Sequence, residues 1–222
     1  MTVGRPPLRP RARAAARPGV GALADEVALT TWDRGRAKIT ALRVEAEGPL
    51  LEFVEHMHRR AGAVQRLPGA AIYLNPSRDT TPLALRVGVD RLRAIPTEIV
   101  VVTVETTNTP YVAQKEQAIF DPLGYDHDGY SHITLRFGFQ DKPDVPRALG
   151  LARRAKKLEV DFNPYHATYF LSHITIVATS KGGMPRWRKA LFIAMARNAA
   201  SPADYFHLPA ERVVTLGSQI RF

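Results

Sequence analysis

The sequence contains no cysteine, and all of its apolar runs are short. Without cysteine, the chain can form no disulfide framework, no thiol nucleophile and no thiolate metal site, which fits a reducing compartment. No run approaches the roughly 18 to 20 apolar residues that are needed to cross a bilayer, so the chain cannot by itself form a pore. These absences predict a cytoplasmic location.

Acidic residues are missing from the first twenty positions, which instead hold five arginines and four prolines. The stretch also lacks the hydrophobic segment of a secretory signal. Proline does not fit a helix interior and clustered arginines repel one another, so residues 1–22 are predicted to form a disordered tail. The tail holds half of the net charge of +10. We interpret it as a solvated tail, with an anchor for anionic lipid or nucleic acid as the alternative.

The remaining sequence has the composition of a globular protein, and its first part is helical. Hydrophobic residues make up 45% of the chain and charged residues 23%, which predicts a well-formed core. Apolar residues at helical spacing predict a helical connecting segment over residues 23–64, in which a second helix begins at Pro49.

From residue 65 onward the pattern alternates between strands and helices. The runs "GAAIYLN" and "EIVVVTVET" are predicted strands, and "TPLALRVGVDRLRAI" between them is a predicted helix that ends at Pro96. A helix between two buried strands indicates a βαβ unit with a parallel strand pair.

The second half of the chain predicts a hairpin and two further strand and helix pairs. The hairpin joins residues 118–120 to 130–139, where alternating residues predict a half-buried strand. A helix capped by Asp144 follows, then a strand over residues 168–179, a helix over 184–200 and a last strand over 213–222. The predicted apolar side of the capped helix consists of Ala148, Leu151, Ala152, Ala155 and Leu158. The fold class is mixed α/β, a single sandwich-like domain over residues 65–222 with a partly parallel sheet of about six strands flanked by helices.

The stretch "YDHDGYSH" concentrates residues that could perform chemistry, namely Asp126, His127, Asp128, Ser131 and His132. Oxygen and imidazole groups can hold a divalent metal, and an acid beside a histidine can polarise it as a general base. However, Asp-Gly between two alternating runs is a frequent hairpin signal. We interpret the stretch as a turn and predict neither a metal site nor a catalytic site.

The stretch "TSKGGMPRW" places a lysine and two glycines between a strand and a helix. Backbone amides at a helix N-terminus can bind phosphate, so Lys181, Gly182 and Gly183 are candidates for an anion site. The spacing matches neither a phosphate-binding Walker loop nor a dinucleotide-binding loop. We therefore interpret the stretch primarily as a connection.

Other reactive residues are better explained by structure. Ser172 and His173 are adjacent in a strand pattern and face opposite sides, so they cannot form a nucleophile and base pair. Two histidines on the second helix and a basic group on the capped helix are interpreted as solvated; they are His56, His58, Arg153, Arg154, Lys156 and Lys157. From these residues we predict no enzyme activity and no cofactor.

Several motifs occur together in an order typical of one family. They are "RLPGAAIYLNPSRDTTPLAL", "EIVVVTVETTNTPYV", "GFQDKPDVPRAL", "TYFLSH" and the run that begins "GMPRWRKALFIAMARNAASPADYF". This part of the chain, from about Arg66 to Phe222, resembles the soluble C-terminal domain of the Kup-type (Kup/HAK/KT) potassium uptake transporters. "TTWDRGRAKI" is similar to the segment that leaves the family's last membrane helix. The run "VGVDRLR" departs from the family, which has "HNLKHNK" at this place.

The resemblance implies a non-enzymatic regulatory or assembly domain of a potassium transporter. Family members import potassium, coupled to protons, through a bundle of membrane helices, and this domain is attached on the cytosolic side. The ion-binding residues belong to that bundle, so none is carried over to this sequence. The implied partners are the membrane part of a transporter or a second copy of the chain, at the inner face of the plasma membrane.

Two other functions remain as alternatives. In some relatives the cytosolic part binds a cyclic dinucleotide, so a nucleotide second messenger is a candidate ligand, although no motif transfers its site. The first alternative is thus a soluble nucleotide or anion sensor. A basic nucleic-acid-binding protein is less favoured, because no aromatic residues for base stacking are interleaved with the basic ones.

Overall fold

The first two helices of the computed structural model are joined by a sharp turn at Gly48. The structure describes residues 36–59, 64–123, 129–155, 162–177 and 201–221, together with positions 33 and 62. Helix α1 covers residues 36–47 and helix α2 covers Leu50–Arg59. Gly48 takes the left-handed conformation that often ends a helix (φ 61°), and its amide donates to the carbonyl of Val44 (2.9 Å). The predicted start of a second helix near Pro49 is confirmed.

The predicted βαβ unit is present and consists of strand β1 (Gln65–Leu74), helix α3 (Leu83–Val87) and strand β2 (Ala94–Thr107). The two strands are parallel neighbours. After α3 the chain makes a π-helical turn over Gly88–Leu92. The prediction that the helix extends to Pro96 was wrong. Arg93 ends it by taking a left-handed conformation (φ 49°), and Pro96 already belongs to β2.

Four more strands complete a six-stranded sheet: β3 (Ala118–Asp121), β4 (Tyr130–Gly138), β5 (Thr168–Val177) and β6 (Val213–Arg221). Their order across the sheet is β3-β4-β2-β1-β5-β6. β3 and β4 form the predicted antiparallel hairpin, and the four other pairs are parallel. The parallel strands therefore have the order of a doubly wound α/β sheet.

Helices and loops cover the two faces of this sheet. One face packs against helix α4 (Val145–Arg154), and we call it the α4 face; its core includes Ile72, Val100, Ile133 and Leu149. The opposite face packs against α2 and α3, and we call it the α2–α3 face. A short helix α5 (Pro202–Tyr205) lies at the edge of the α4 face core, where Ala203 is partly buried. The mixed α/β fold class is thus confirmed.

Strand β4 is more deeply buried than its sequence predicts. Residues on both faces are buried from Tyr130 to Leu135, because β4 lies inside the sheet between β3 and β2. The prediction of a half-buried strand was therefore wrong. Gly138 ends the strand where the chain near Pro110 approaches closely. A Cβ at Gly138 would lie 2.2 Å from the carbonyl oxygen of Pro110, so a larger residue does not fit.

Helix α4 begins as predicted but buries a different set of residues. Oδ1 of Asp144 accepts a hydrogen bond from the amide of Arg147 (2.9 Å), which satisfies one of the free amides of the first turn. Leu149 is fully buried, whereas Ala155 is exposed and Leu151 only half-buried. The predicted apolar side was therefore rotated relative to the observed one.

Several predictions fall on residues outside the described ranges. These are the disordered tail over residues 1–22 and the helix over residues 184–200. None of the helices within the described residues is both long enough and apolar enough to span a membrane.

Candidate functional site

The candidate site lies at the carboxyl ends of the parallel strands, where β1 stops short of both neighbours. Leu74 is the last residue of β1, whereas β2 continues to Thr107 and β5 to Val177. The strand order changes direction between β1 and β5, and open α/β sheets bind ligands in the crevice at such a point. Residues 75–81, which we call the β1–α3 loop, begin in this opening.

The β1–α3 loop is folded around the side chain of Asn75. The backbone amide of Asn75 donates to the carbonyl of Val102 on β2 (2.9 Å). Its Nδ2 donates to the carbonyls of Ser77 and Thr80, both at 2.8 Å, and lies 2.9 Å from Oγ1 of Thr80. Its Oδ1 is buried and has no hydrogen-bond partner within the described part of the chain. A single amide thus fixes the shape of the loop.

Thr80 connects the loop to helix α1 through the buried carboxylate of Glu47. The hydroxyl of Thr80 donates to Oε2 of Glu47 (2.6 Å), and Arg43 forms an ion pair with Oε1 of the same carboxylate. The side chain of Glu47 is 1% exposed, and these two partners supply the hydrogen bonds that its burial requires. Arg43, Glu47, Thr80 and Asn75 form a continuous set of contacts, which we call the Glu47 network.

Backbone hydrogen bonds strengthen this connection between the loop and the turn that joins α1 to α2. The amide of Leu50 donates to the carbonyl of Asp79 (2.8 Å), and the amide of Thr81 donates to the carbonyl of Gly48 (2.9 Å). The left-handed conformation of Gly48 favours glycine at this turn, and a Cβ there would also displace the end of the Arg86 side chain. The end of α1 is therefore fixed to the candidate site.

On its other side the β1–α3 loop is held by Arg78. This residue forms an ion pair with Asp121 at the end of β3. Oδ1 of Asp121 also accepts a hydrogen bond from the amide of Leu123 (3.0 Å). Burial opposes the charge, but the Leu123 amide and Arg78 together keep the pKa of Asp121 below its ordinary value. Asp121 therefore remains ionised beside its cross-strand neighbour, His132.

His132 on β4 is completely buried, with 0% of its surface exposed. Its Nε2 lies 3.0 Å from Oγ1 of Thr103 on β2, and its Nδ1 has no partner among the described residues. Burial lowers the pKa of His132 to about 4, and the positive charge of Arg78 acts in the same direction, so the imidazole is neutral at pH 7. We call Arg78, Thr103, Asp121 and His132 the His132 cluster.

The structure separates the chemical groups that the sequence placed in "YDHDGYSH". Asp126, His127 and Asp128 lie outside the described residues. Ser131 and His132 are neighbours in a strand, so Ser131 faces the α4 face and His132 faces the α2–α3 face. The two side chains cannot act on one ligand. Within the described ranges, no three histidine, aspartate or glutamate side chains converge as metal ligands.

The other sequence candidates do not come together either. Lys181, Gly182 and Gly183 lie outside the described residues. In β5, Oγ of Ser172 accepts a hydrogen bond from the amide of Ala84 (3.2 Å), whereas the next residue, His173, is exposed. The prediction that these two side chains face opposite sides is confirmed.

The residues that were interpreted as solvated are exposed where the structure describes them. This holds for His56 and His58 on α2 and for Arg153 and Arg154 at the end of α4. Lys156 and Lys157 lie outside the described residues.

Sequence reasoning missed most of the observed site. It singled out His132, but as a metal ligand or general base acting together with other residues of the stretch "YDHDGYSH". Glu47, Asn75, Arg78 and Asp121 were not recognised, because they are far apart in the chain. One signal was available: Asn75 is a polar residue that directly follows the buried end of β1, and ligand sites in α/β sheets form at the carboxyl ends of such strands.

Comparison with known proteins assigns most of the chain to one family. Residues 68–222 match the family model described as "K+ potassium transporter C-terminal domain". No solved structure matches the chain. The chain therefore has relatives by sequence but no experimental structure to compare with its fold.

Curated relatives agree with this match. The chain is 40% identical over 195 residues to "Probable potassium transport system protein Kup" of Rhodococcus jostii, covering 86% of this chain and 29% of the relative. It is 39% identical over 197 residues to "Probable potassium transport system protein Kup 2" of Cupriavidus necator, covering 88% and 30%. The chain thus spans less than a third of the length of these relatives. By the family match and by these identities, the chain belongs to the potassium transporter C-terminal domain family.

Proposed function

We propose that this chain is the regulatory or assembly domain of a Kup-type potassium transporter, located in the cytosol at the inner face of the plasma membrane. Its partner is the membrane part of such a transporter, with a second copy of the chain as the alternative. The proposal is supported by the family match, whose description places the domain at the C-terminal end of potassium transporters. It is a binding and coupling role, with no reaction to catalyse.

The observation that carries this proposal is the attachment of helix α1 to the candidate site. In a C-terminal domain, the chain that enters from the rest of a transporter arrives through its first helix. Here that helix ends in the Glu47 network, and the turn at Gly48 is hydrogen-bonded to the β1–α3 loop. A change in the loop therefore alters the position of α1, and a displacement of α1 alters the loop. Such a connection lets a domain shift a transporter between two states when it binds a partner differently in each.

A chimeric transporter tests the proposal. The matching C-terminal region of the Rhodococcus jostii relative is replaced by this chain, and rubidium uptake is measured in cells that lack their own potassium uptake systems. We expect the chimera to transport like the parent, and a transporter without the domain to have a changed rate or potassium response. Glu47→Ala in the chimera should resemble the deletion.

Glu45→Ala is the matched control, because Glu45 is an exposed carboxylate on the same helix. It should leave uptake unchanged. The proposal is wrong if the parent, the deletion and the chimera give the same uptake under all potassium concentrations.

One observation favours a second candidate, a sensor of a nucleotide or another anion. The reversal of strand order between β1 and β5 creates the kind of crevice in which α/β proteins bind nucleotides. The candidate anion-binding residues Lys181, Gly182 and Gly183 follow β5 in the sequence. Calorimetry with adenine nucleotides and cyclic dinucleotides tests this candidate, with Lys181→Ala as the variant that should weaken binding. Flat titrations with every nucleotide would remove it.

A further inference from the structure

The β1–α3 loop lies between two groups of buried polar residues. On one side Thr80 contacts Glu47 of helix α1, and on the other side Arg78 forms the ion pair with Asp121. Only Asp79 separates Thr80 from Arg78, so a movement of one is transmitted to the other. The loop therefore connects the His132 cluster to α1 over a very short stretch of chain.

We propose that His132 is a proton sensor, and that its protonation releases the β1–α3 loop and with it helix α1. The proposal concerns a movement within this chain and does not depend on the function proposed above. It rests on the burial of His132, on its cross-strand position opposite Asp121, and on the ion pair that Asp121 shares with the loop.

In the observed structure, which we call the closed state, Arg78 is the cation that pairs with Asp121. When a ring nitrogen of His132 accepts a proton from solvent, a second cation forms next to the same carboxylate. The imidazolium is completely buried, and its Nδ1 has no hydrogen-bond partner in the described part of the chain, so its charge is poorly compensated. The side chain of Arg78 is 57% exposed and can move into water at little cost. Separation of Arg78 from Asp121 is therefore the least costly way to reduce the positive charge around the protonated His132.

The charged groups around His132 come from three elements. Arg78 and Asp79 belong to the β1–α3 loop, Asp121 to β3, and Glu105 to β2. The three acids favour the protonated form, but Glu105 is already paired with Arg136 of β4 (3.2 Å). Burial and Arg78 outweigh them. Between pH 6.5 and about 4, the closed state thus excludes a proton that an exposed histidine would bind.

The difference between the pKa of a hydrated histidine and that of His132 determines how the ratio of open to closed molecules changes with pH. A hydrated histidine has a pKa near 6.5, whereas the pKa of His132 in the closed state is about 4. We call the open state the one in which the β1–α3 loop is released and His132 is hydrated. Between these two pKa values, the open state binds one more proton than the closed state. The ratio of open to closed molecules therefore rises about tenfold for each pH unit of acidification in this range.

Helix α1 is the element that such a loop movement would free. Glu47 is the only fully buried side chain within residues 36–47, and the rest of α1 is exposed or half-buried. When Thr80 moves away, the carboxylate of Glu47 loses the hydrogen bond to Oε2 and keeps only its ion pair with Arg43, a residue of the same helix. The free energy of the end of α1 is then lower when the Glu47 carboxylate is hydrated than when it stays buried.

The absence of cysteine makes the movement measurable in the full chain, because two introduced cysteines are the sole labelling sites. Ala41→Cys on α1 and Thr106→Cys on β2 are exposed positions for spin labels. We measure the distance between the labels by pulsed electron paramagnetic resonance at pH 7.5, 5.5 and 4.5. We expect one narrow distance at pH 7.5 and a second, displaced population that grows about tenfold from pH 5.5 to 4.5.

Histidine variants assign the response to one residue. His132→Gln keeps a polar side chain near Thr103 but cannot be protonated, so the displaced population should not grow on acidification. His56→Gln removes an exposed histidine of α2 and should behave like the parent chain. The proposal is overturned if His132→Gln responds to pH as the parent does. It is also overturned if circular dichroism shows that the whole chain unfolds whenever α1 is displaced.

Arg78 provides a second test if His132→Gln does not fold. Arg78→Gln removes the ion pair with Asp121 and should produce the displaced population already at pH 7.5, whereas Arg78→Lys should restore the closed state. Nitrogen-15 NMR of the histidine rings gives the pKa of His132 independently. A protonated His132 with an unchanged label distance would refute the proposed coupling.

Discussion

The two faces of the sheet differ in the kind of residue that they bury. The core of the α4 face is made of apolar side chains from the strands and from α4, with Ser131 as a buried polar residue on that face. The α2–α3 face has its own apolar cluster, but next to the carboxyl end of β1 it also buries Asn75, Thr103 and His132. Apolar contacts therefore stabilise both faces, whereas the hydrogen-bonded polar groups of the candidate site are buried on one of them.

This difference has an energetic meaning. Buried apolar side chains stabilise a fold without regard to pH, whereas buried polar groups must be hydrogen-bonded to avoid a penalty and add little net stability. Glu47, Thr80, Thr103 and His132 are buried polar residues around the β1–α3 loop. A change in their hydrogen bonding therefore costs less free energy than a change in the apolar core of the α4 face.

The largest expected effect comes from the α4 face. Leu149→Ala should lower the free energy of unfolding by about 2 to 5 kcal/mol, because it leaves a cavity in a fully buried position. Urea unfolding at pH 7.5 and pH 5.5 should give the same loss. Leu151→Ala, half-buried on the same helix, is the control and should cost less. If the loss in free energy of unfolding differed between the two pH values, the stability of the α4 face would also depend on pH, contrary to the distinction drawn between the two faces.

The next effect belongs to the α2–α3 face and depends on pH. The pKa of His132 is lowered from 6.5 to about 4, so between these values the unfolded chain binds a proton that the folded chain excludes. The stabilisation is complete above pH 6.5 and is lost as the pH falls towards 4, by about 3 kcal/mol in total. Denaturant unfolding at several pH values measures it. His132→Gln should make the free energy of unfolding independent of pH in this range, whereas His56→Gln should leave its pH dependence unchanged. If His132→Gln showed the same pH dependence as the parent chain, His132 would not be its source.

The smallest effect concerns the hydrogen bond to His132. Thr103→Val keeps the shape of the side chain but removes the hydroxyl that lies 3.0 Å from Nε2, which should cost about 1 to 2 kcal/mol at pH 7.5. Thr103→Ser keeps the hydroxyl and should cost less. Thr106→Val, at an exposed position of the same strand, should change the free energy of unfolding by at most about 0.5 kcal/mol. A neutral Thr103→Val would show that the buried polar contact contributes nothing.

Much of the fold could be predicted from local sequence. β-branched runs and the Asp-Gly turn gave the parallel pair β1–β2 and the hairpin β3–β4, because these signals depend on residues that are near in the chain. The end of α3 and the burial of β4 were predicted wrongly. Both depend on neighbours: Arg93 ends the helix where the chain turns into the sheet, and β4 is covered because it is an inner strand.

The candidate site could not be predicted in the same way. Glu47 and Thr80 are 33 residues apart in the chain, and Thr103 and His132 are 29 apart, so no local pattern joins them. Spacing rules recognise sites whose residues come from one loop or one helix. A site assembled at the ends of parallel strands becomes visible only when the strand order is known.

The sequence by itself determined the fold class, the six strands and the likeness to potassium transporter C-terminal domains, because each is encoded in short motifs and their order. The tertiary structure decided which polar residues meet. The order β4-β2-β1-β5 and the early end of β1 place the β1–α3 loop between Glu47 and Asp121, and these contacts over long sequence distances put a neutral, buried His132 beside the loop that holds α1.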